Sequence, residues 1–193
     1  NNFKGKRIMT RPVDAPIPSE PKRPYPVVTG YVDIVPGFGR GSSALGIPTA
    51  NVPIEQLPSI FNELPTGVYF GFAKLAKVEQ HSSEVVETQN GRNVECNYGQ
   101  YLEDEELRAL PVVLSVGLNP FYGNKFKTVE LHLIHKFDKD FYGAKVKFSL
   151  LGFIRPELDY STKEALIKDI NTDIKISQQV LGSPEYSRYK YEL

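Results

Sequence analysis

Five segments rich in apolar residues follow one another along the chain. They span residues 27–35, 66–78, 112–118, 128–136 and 145–154. In the last segment polar and apolar residues alternate strictly from Lys145 to Leu150, which is the period of a strand with one face in water. Strands in succession with short connections favour an antiparallel sheet or barrel over parallel βαβ units. The chain is therefore predicted to be mainly β.

One amphipathic helix is predicted near the C-terminus. Ser161, followed three residues later by Glu164, forms a capping-box pattern. Gly182 is a typical residue for ending a helix. Between them the apolar residues recur at helical spacing: Leu166, Ile167, Ile170, Ile174, Val180 and Leu181. This apolar face is predicted to pack on the sheet.

Two segments stand apart from this core. Residues 10–26 contain six prolines, which deny the backbone regular hydrogen bonding. Residues 1–26 are therefore predicted to be an extended arm on a single domain of residues 27–193. An insertion at about 77–110 carries Asn90-Gly91 between two short apolar stretches, a strong hairpin signal. Its acidic run, residues 103–106, is predicted to be a solvated face, because four consecutive side chains cannot converge on one ion.

Composition excludes several classes of function. Lys plus Arg and Asp plus Glu number 23 each, so no large-scale charge favours nucleic acid or an anionic membrane. The single cysteine, Cys96, excludes an internal disulfide. No apolar run approaches the ~20 residues that span a bilayer. We expect a monomer that is cytoplasmic or associated with an organelle. Since the sequence begins with Asn1, an upstream segment could add membrane or mitochondrial targeting.

A glycine-rich stretch, GFGRGSSALGIPTANV, runs from Gly37 to Val52. Closely spaced glycines can direct several backbone N–H groups at one anion. The stretch is not a P-loop, because Ile47 and Pro48 stand where lysine and serine or threonine should follow. It also lacks the third glycine of a dinucleotide fingerprint. From spacing alone, a simple strand-connecting turn explains the glycines as well as phosphate binding does.

The stretch ends in Pro-Thr-Ala-Asn at residues 48–51, and this combination resembles the riboflavin kinase family. Four further motifs match in the same order: GVYFGFA at 67–73, TVELHLIH at 128–135, DFYG at 140–143 and IRPEL at 154–158. The resemblance implies a six-stranded antiparallel Greek-key β-barrel with a C-terminal helix packed on it. It also implies transfer of the γ-phosphoryl group of ATP to the ribityl 5′-hydroxyl of riboflavin, which gives FMN.

The resemblance assigns an ATP site and a metal site. Thr49 and Asn51 are the expected ligands of Mg²⁺, with Zn²⁺ or Mn²⁺ as alternative metals. Without the resemblance, the same two residues would be interpreted as turn residues between prolines. Ser43 stands where many relatives have lysine. The full set of expected ATP-binding residues is Gly37, Gly39, Arg40, Gly41, Ser42, Ser43, Thr49, Asn51, Leu133, His135 and Tyr142.

The resemblance also assigns the base and the flavin site. Glu130 maps to the carboxylate that accepts the proton of the 5′-hydroxyl. On the strand pattern alone, an ordinary exposed glutamate is the favoured interpretation of this residue. The expected flavin-binding residues lie around the turn before the helix: Arg155, Leu158, Tyr160 and Ala165.

Three other functions fit the sequence less well. One is a non-catalytic flavin- or nucleotide-binding barrel, against which the presence of Thr49, Asn51 and Glu130 argues. Another is a nucleic-acid-binding OB barrel, which the zero net charge and the lack of a basic aromatic stripe disfavour. The third is a bifunctional enzyme that also makes FAD, for which the sequence lacks an H-x-G-H motif.

Overall fold

The computed structural model describes residues 11–37, 49–88, 91–121 and 124–193, with side chains of 119–121, 124 and 125 left out. Nine strands lie in the described residues: β1 Val27–Val28, β2 Val32–Asp33, β3 Ala50–Val52, β4 Gly67–Ala76, β5 Glu84–Glu87, β6 Asn93–Cys96, β7 Leu110–Phe121, β8 Asn124–Leu133 and β9 Lys145–Pro156. All strand pairs are antiparallel. The prediction of a mainly β chain is confirmed.

The main sheet contains seven strands in the order β1-β9-β4-β7-β8-β3, with β2 also paired to β9. The predicted strand at 27–35 is thus two short strands separated by residues 29–31. In the described residues the sheet does not close through paired strands. One isolated bridge, Val35 to Asn51, connects its two ends. The antiparallel sheet is established, whereas the six-stranded Greek-key barrel stays a prediction.

The two faces of the sheet bury different hydrophobic clusters, as strand alternation requires. In β4, Tyr69 and Ala73 belong to the larger cluster on one face, and Phe70 and Phe72 belong to the cluster on the other face. The second cluster also contains Leu181 from the C-terminal helix. The helix therefore covers one face of the sheet, as predicted.

This helix, α1, spans Lys163–Leu181 and is followed by a short helix, α2, at Pro184–Ser187. Its N-cap is Thr162 rather than the predicted Ser161, and the Thr162 hydroxyl accepts a 3.2 Å hydrogen bond from the Ala165 N–H. The cap shifts by one residue because Thr162 is extended and its side chain reaches the first turn. The helix ends at Gly182, as predicted.

The most buried stripe of α1 differs from the predicted apolar one. It consists of Ile170, Asp173, Ser177 and Leu181. Two of these four residues are polar, and Asp173 is only 1% exposed. Burial of a carboxylate requires charged partners, so this face of the helix makes ionic contacts as well as hydrophobic ones.

The insertion contains the predicted hairpin, in which β5 pairs with β6; residue Asn90 of its turn lies outside the described residues. Residues 103–105 of the acidic run are exposed, as predicted for a solvated face, and Glu106 alone differs from that prediction. Asp104–Leu107 form a short 3-10 helix, and Glu106 is buried. Glu106 is drawn inward because His135 provides a polar partner at 3.0 Å.

The described part of the proline-rich arm contacts the domain. Tyr25 packs against Tyr69 at 6.5 Å between ring centroids. Ile17 packs on the cluster beneath α1, and the Tyr186 hydroxyl donates to the Pro18 carbonyl at 2.7 Å. The division into residues 1–26 and 27–193 stays a prediction. Within the described ranges, no helix has the length and apolar character needed to cross a membrane.

Candidate active site

A row of directly opposed residues crosses five strands of the main sheet. Asn51 in β3 pairs with Glu130 in β8, and Glu130 pairs on its other side with Ser115 in β7. Ser115 pairs with Val68 in β4, which pairs with Arg155 in β9. Side chains directly opposite each other on paired strands share one face of the sheet. The register therefore aligns the predicted metal ligand, the predicted base and a predicted flavin residue on one face.

A cavity of about 180 Å³ lies between this row and α1. It brings together four groups of residues from distant parts of the sequence. Its walls include Val68, Ser115, Glu130, His132, Arg155, Glu157, Leu158, Tyr160, Leu166 and Asp173. Several convergent polar groups in a partly apolar pocket are typical of a small-molecule site.

Glu130 is half-buried at the edge of this cavity. Burial raises the pKa of its carboxyl group, and a hydrogen bond donated by the Asn51 amide acts in the opposite direction. A raised pKa makes a carboxylate a stronger proton acceptor once it is ionised. The interpretation of Glu130 as an ordinary exposed glutamate is therefore wrong, because this side chain is half-buried and faces a cavity.

Thr49 and Asn51 occupy the half-buried positions of their segment, whereas Ala50 and Val52 are buried. This alternation places Thr49 and Asn51 on the same side of the chain. Gly37 lies against Asn51 so closely that a Cβ at position 37 would overlap the Asn51 amide. A side chain at position 37 would therefore displace the Asn51 amide from its place. The predicted ATP-binding residues Gly39, Arg40, Gly41, Ser42 and Ser43 lie outside the described residues.

The donor set at this end of the row suits a hard divalent cation. Asn51 offers an amide oxygen and Thr49 a hydroxyl oxygen. Mg²⁺ prefers oxygen ligands and binds through few protein groups, with phosphates and water completing its shell. Among the described residues, no group of three or more His, Cys, Asp or Glu could hold a metal. A metal at Thr49 and Asn51 would take its other ligands from substrate phosphates and water.

At the opposite end of the row, Arg155 forms an ion pair with Asp173. Its Nε and one terminal nitrogen donate to the Asp173 carboxylate at 3.0 and 2.8 Å. Both side chains are almost fully buried. The second terminal nitrogen of Arg155 contacts the Pro156 carbonyl at 3.3 Å. Arg155 lines the cavity as predicted, but its orientation is fixed by Asp173.

Of the other predicted flavin residues, Leu158 and Tyr160 line the cavity. The Tyr160 hydroxyl donates to Asp169 at 2.8 Å. Burial and this hydrogen bond hold the pKa of Tyr160 well above its usual range, so the group remains a neutral donor. Ala165 is not among the cavity-lining residues; its N–H is occupied by the Thr162 cap.

The residues predicted for the nucleotide side lie apart from the cavity. Leu133 is buried in the larger hydrophobic cluster. The His135 ring packs edge-on against Phe137 at 4.7 Å, and Phe137 contacts Phe141. Phe137 and Tyr142 both line an open groove of about 610 Å³. An aromatic groove of this kind offers stacking surface to a planar ring.

The sequence prediction missed Ser115 and Asp173, which line the cavity, and Glu106, which contacts His135. Ser115 is the single polar residue in the apolar run 112–116, and that interruption could have identified it. Asp173 could have been noticed as a carboxylate on the apolar face of a helix. No local sequence pattern indicates that Glu106 is buried, because its partner His135 is 29 positions away.

Comparisons with known proteins show which family the chain belongs to. The family model described as "Riboflavin kinase" matches residues 23–181. The chain is 60% identical over 188 residues to riboflavin kinase of Candida glabrata, covering 96% of this chain and 99% of that protein. It is also 60% identical to riboflavin kinase of Saccharomyces cerevisiae, covering 95% and 85% of the two chains.

A solved structure supports the fold alone. The crystal structure of riboflavin kinase from Trypanosoma brucei superposes with a TM-score of 0.52 at 22% identity, covering 83% of each chain. The match of the family model over most of the chain, together with the two yeast relatives, establishes the family. This chain belongs to the riboflavin kinase family.

Proposed function

We propose that this chain phosphorylates riboflavin at the ribityl 5′-hydroxyl with Mg-ATP, giving FMN and ADP, and that Glu130 accepts the hydroxyl proton. Family membership at 60% identity supports the activity. The comparisons give no support to a non-catalytic flavin- or nucleotide-binding module. The observation that carries the residue assignment is the row from Asn51 through Glu130 to Arg155.

Glu130 is suited to the role of base by its position and its environment. It lies between the proposed metal ligand Asn51 and the cavity. A 5′-hydroxyl in that cavity would meet the carboxylate on the side that faces the cavity, with the phosphates on its other side. General-base catalysis contributes about 10²–10⁴ in rate, and less where the transition state of phosphoryl transfer is loose.

The phosphates and the metal belong at the other side of Glu130. Thr49 and Asn51 would hold Mg²⁺ through oxygen atoms, and Gly37, Gly39, Arg40, Gly41, Ser42 and Ser43 would contact the phosphates. A divalent ion bound there neutralises charge on the phosphate oxygens. Zn²⁺ or Mn²⁺ are alternative metals. The aromatic groove near Tyr142, with His135 and Leu133 beside it, is proposed to take the adenine end of ATP.

The flavin is proposed to enter the cavity beneath α1. Leu158 and Tyr160 would form an apolar wall along the ring, and Arg155 would present a fixed guanidinium edge. Ala165 would act through the first turn of α1 rather than by direct contact. With a balanced net charge, the enzyme is proposed to act on these small molecules as a monomer, without nucleic acid.

Incubation of purified protein with riboflavin and Mg-ATP tests the proposal. Chromatography should show FMN as the final product, and a chelator should abolish its formation. FMN formation that is unaffected by complete metal removal would contradict the assignment of Thr49 and Asn51. FAD formation by homogeneous protein would contradict the monofunctional assignment.

A further inference from the structure

An ion-pair network joins the proline-rich arm to the proposed flavin cavity. Arg11 in the arm donates to Asp173 at 2.8 Å and lies 4.0 Å from Asp169. These two carboxylates are the partners of the cavity-lining side chains Arg155 and Tyr160, respectively. Each flavin-side residue is thus held by a carboxylate that the arm also contacts.

We propose that Arg11 is a positioning residue for riboflavin binding, acting through Asp169 and Asp173 on the walls of the cavity. This inference rests on the proposed location of the flavin subsite. It concerns a segment that is distant from the cavity in sequence, since Arg11 and Asp173 are 162 positions apart.

Electrostatics explain why a second arginine is needed. Asp169 and Asp173 are four residues apart on α1, a spacing at which like charges on a helix repel each other. Arg155 contacts only Asp173 of the two. Arg11 supplies the second positive charge, so the buried group contains two acids and two bases. Removing one partner from a buried ion pair leaves an uncompensated charge.

Without Arg11, the repulsion between the two carboxylates would be relieved by outward rotation of one of them. Rotation of Asp169 would release the Tyr160 hydroxyl, and rotation of Asp173 would release the Arg155 guanidinium. Both outcomes loosen a wall of the cavity while leaving Glu130 and Asn51 in place. The effect should therefore fall on riboflavin affinity, with no effect on the phosphoryl-transfer step.

The arm is anchored well enough to hold Arg11 in place. The Arg11 guanidinium also pairs with Asp14 at 2.9 Å, which pre-orients the side chain. Further along the arm, Ile17 packs beneath α1 and Pro18 accepts the hydrogen bond from Tyr186. The Arg11 side chain is only 14% exposed, so solvent screens these interactions less than at a surface pair.

Arg11→Gln tests the proposal in the full chain, with Arg23→Gln, an exposed arginine of the same arm, as the matched control. Flavin fluorescence gives the Kd for riboflavin, and steady-state kinetics give kcat and both KM values. Network residues that do not touch a ligand change binding by about 2- to 30-fold. We expect Arg11→Gln to raise the Kd and KM for riboflavin about tenfold, with kcat and the KM for ATP unchanged. Arg11→Lys should restore part of the affinity, and Arg23→Gln should behave as the parent.

Riboflavin affinity equal to the parent's in folded Arg11→Gln would overturn the proposal, even if Tm falls. If that variant does not fold, Arg11→Met, which keeps the length of the side chain without its charge, replaces it, and unchanged riboflavin affinity there has the same meaning. Leu166→Trp, which fills the rim of the cavity, tests the subsite separately. Weak binding in Leu166→Trp with normal binding in Arg11→Gln refutes only the role of Arg11. Normal binding in Leu166→Trp refutes the flavin location and the proposal with it.

Discussion

Asn51 and Glu130 lie directly opposite each other on paired antiparallel strands, and hydrogen bonding to the Asn51 side chain opposes the rise that burial causes in the pKa of the Glu130 carboxyl group. This pairing places a proposed metal ligand beside the proposed base. It partly stabilises an ionised carboxylate in a buried place. Four predictions test this arrangement and the sites on either side of it.

Glu130→Gln should lower kcat by about 10²–10⁴-fold, or less for a loose transition state. Glutamine keeps the shape and hydrogen-bonding capacity of the side chain but cannot accept the proton. Equilibrium Kd values for riboflavin and ATP should change little. Glu55→Gln, an exposed carboxylate, serves as the control. A Glu130→Gln enzyme that keeps more than about half of the parent kcat would remove Glu130 from the mechanism.

The same variant should be more stable than the parent at neutral pH in metal-free buffer. Because burial raises the pKa of Glu130, the folded state binds more protons than the unfolded state between the ordinary and the raised pKa. Stability therefore falls as pH rises through this window. Glutamine does not ionise, so the Glu130→Gln variant does not lose stability in this pH window. We expect a higher Tm for Glu130→Gln at pH 7 and equal Tm values below about pH 4.

The cavity also contains the titratable groups of His132, Glu157 and Asp173. These groups are present in both the parent and Glu130→Gln, so their contributions cancel in the Tm difference between the two proteins. A Tm difference that is the same at both pH values would show that packing, rather than ionisation, distinguishes the two side chains.

Thr49→Ala should lose most activity and keep the parent Tm, because it removes a hydroxyl ligand without creating a large cavity. Thr49→Ser, which retains the hydroxyl, is the matched control and should keep most activity. The metal concentration for half-maximal rate should rise in Thr49→Ala alone. If Thr49 only stabilises a turn, Thr49→Ala should instead lower Tm and leave kcat unchanged.

Glu106→Gln should raise the KM for ATP and leave the KM for riboflavin unchanged. Glu106 is the partner of the His135 ring, and hydrogen bonds to charged groups contribute about 1.5–3 kcal/mol. Loss of the carboxylate should loosen the ring beside the aromatic groove. The neighbouring exposed Glu105→Gln is the control. Equal effects of Glu106→Gln on both KM values would indicate a general structural role.

The sequence by itself predicted the mainly β chain, the helix ending at Gly182 and the hairpin of the insertion. These follow from short-range chemistry: alternation of side chains along strands, helical spacing of apolar residues, and turn residues that need special backbone angles. Ordered motifs also identified the family, and the resemblance assigned Glu130 as the expected base. The N-cap was misplaced by one residue because Ser161 and Thr162 both suit the role, and only backbone geometry distinguishes them.

Only the tertiary structure decided which of these residues meet. The row from Asn51 to Arg155 depends on the register of four strand pairs, and local sequence does not encode register across long connections. The burial of Asp173 and Glu106 depends on partners far along the chain. A carboxylate is buried where a distant cation or histidine compensates its charge, so the physical reason lies in the assembled fold.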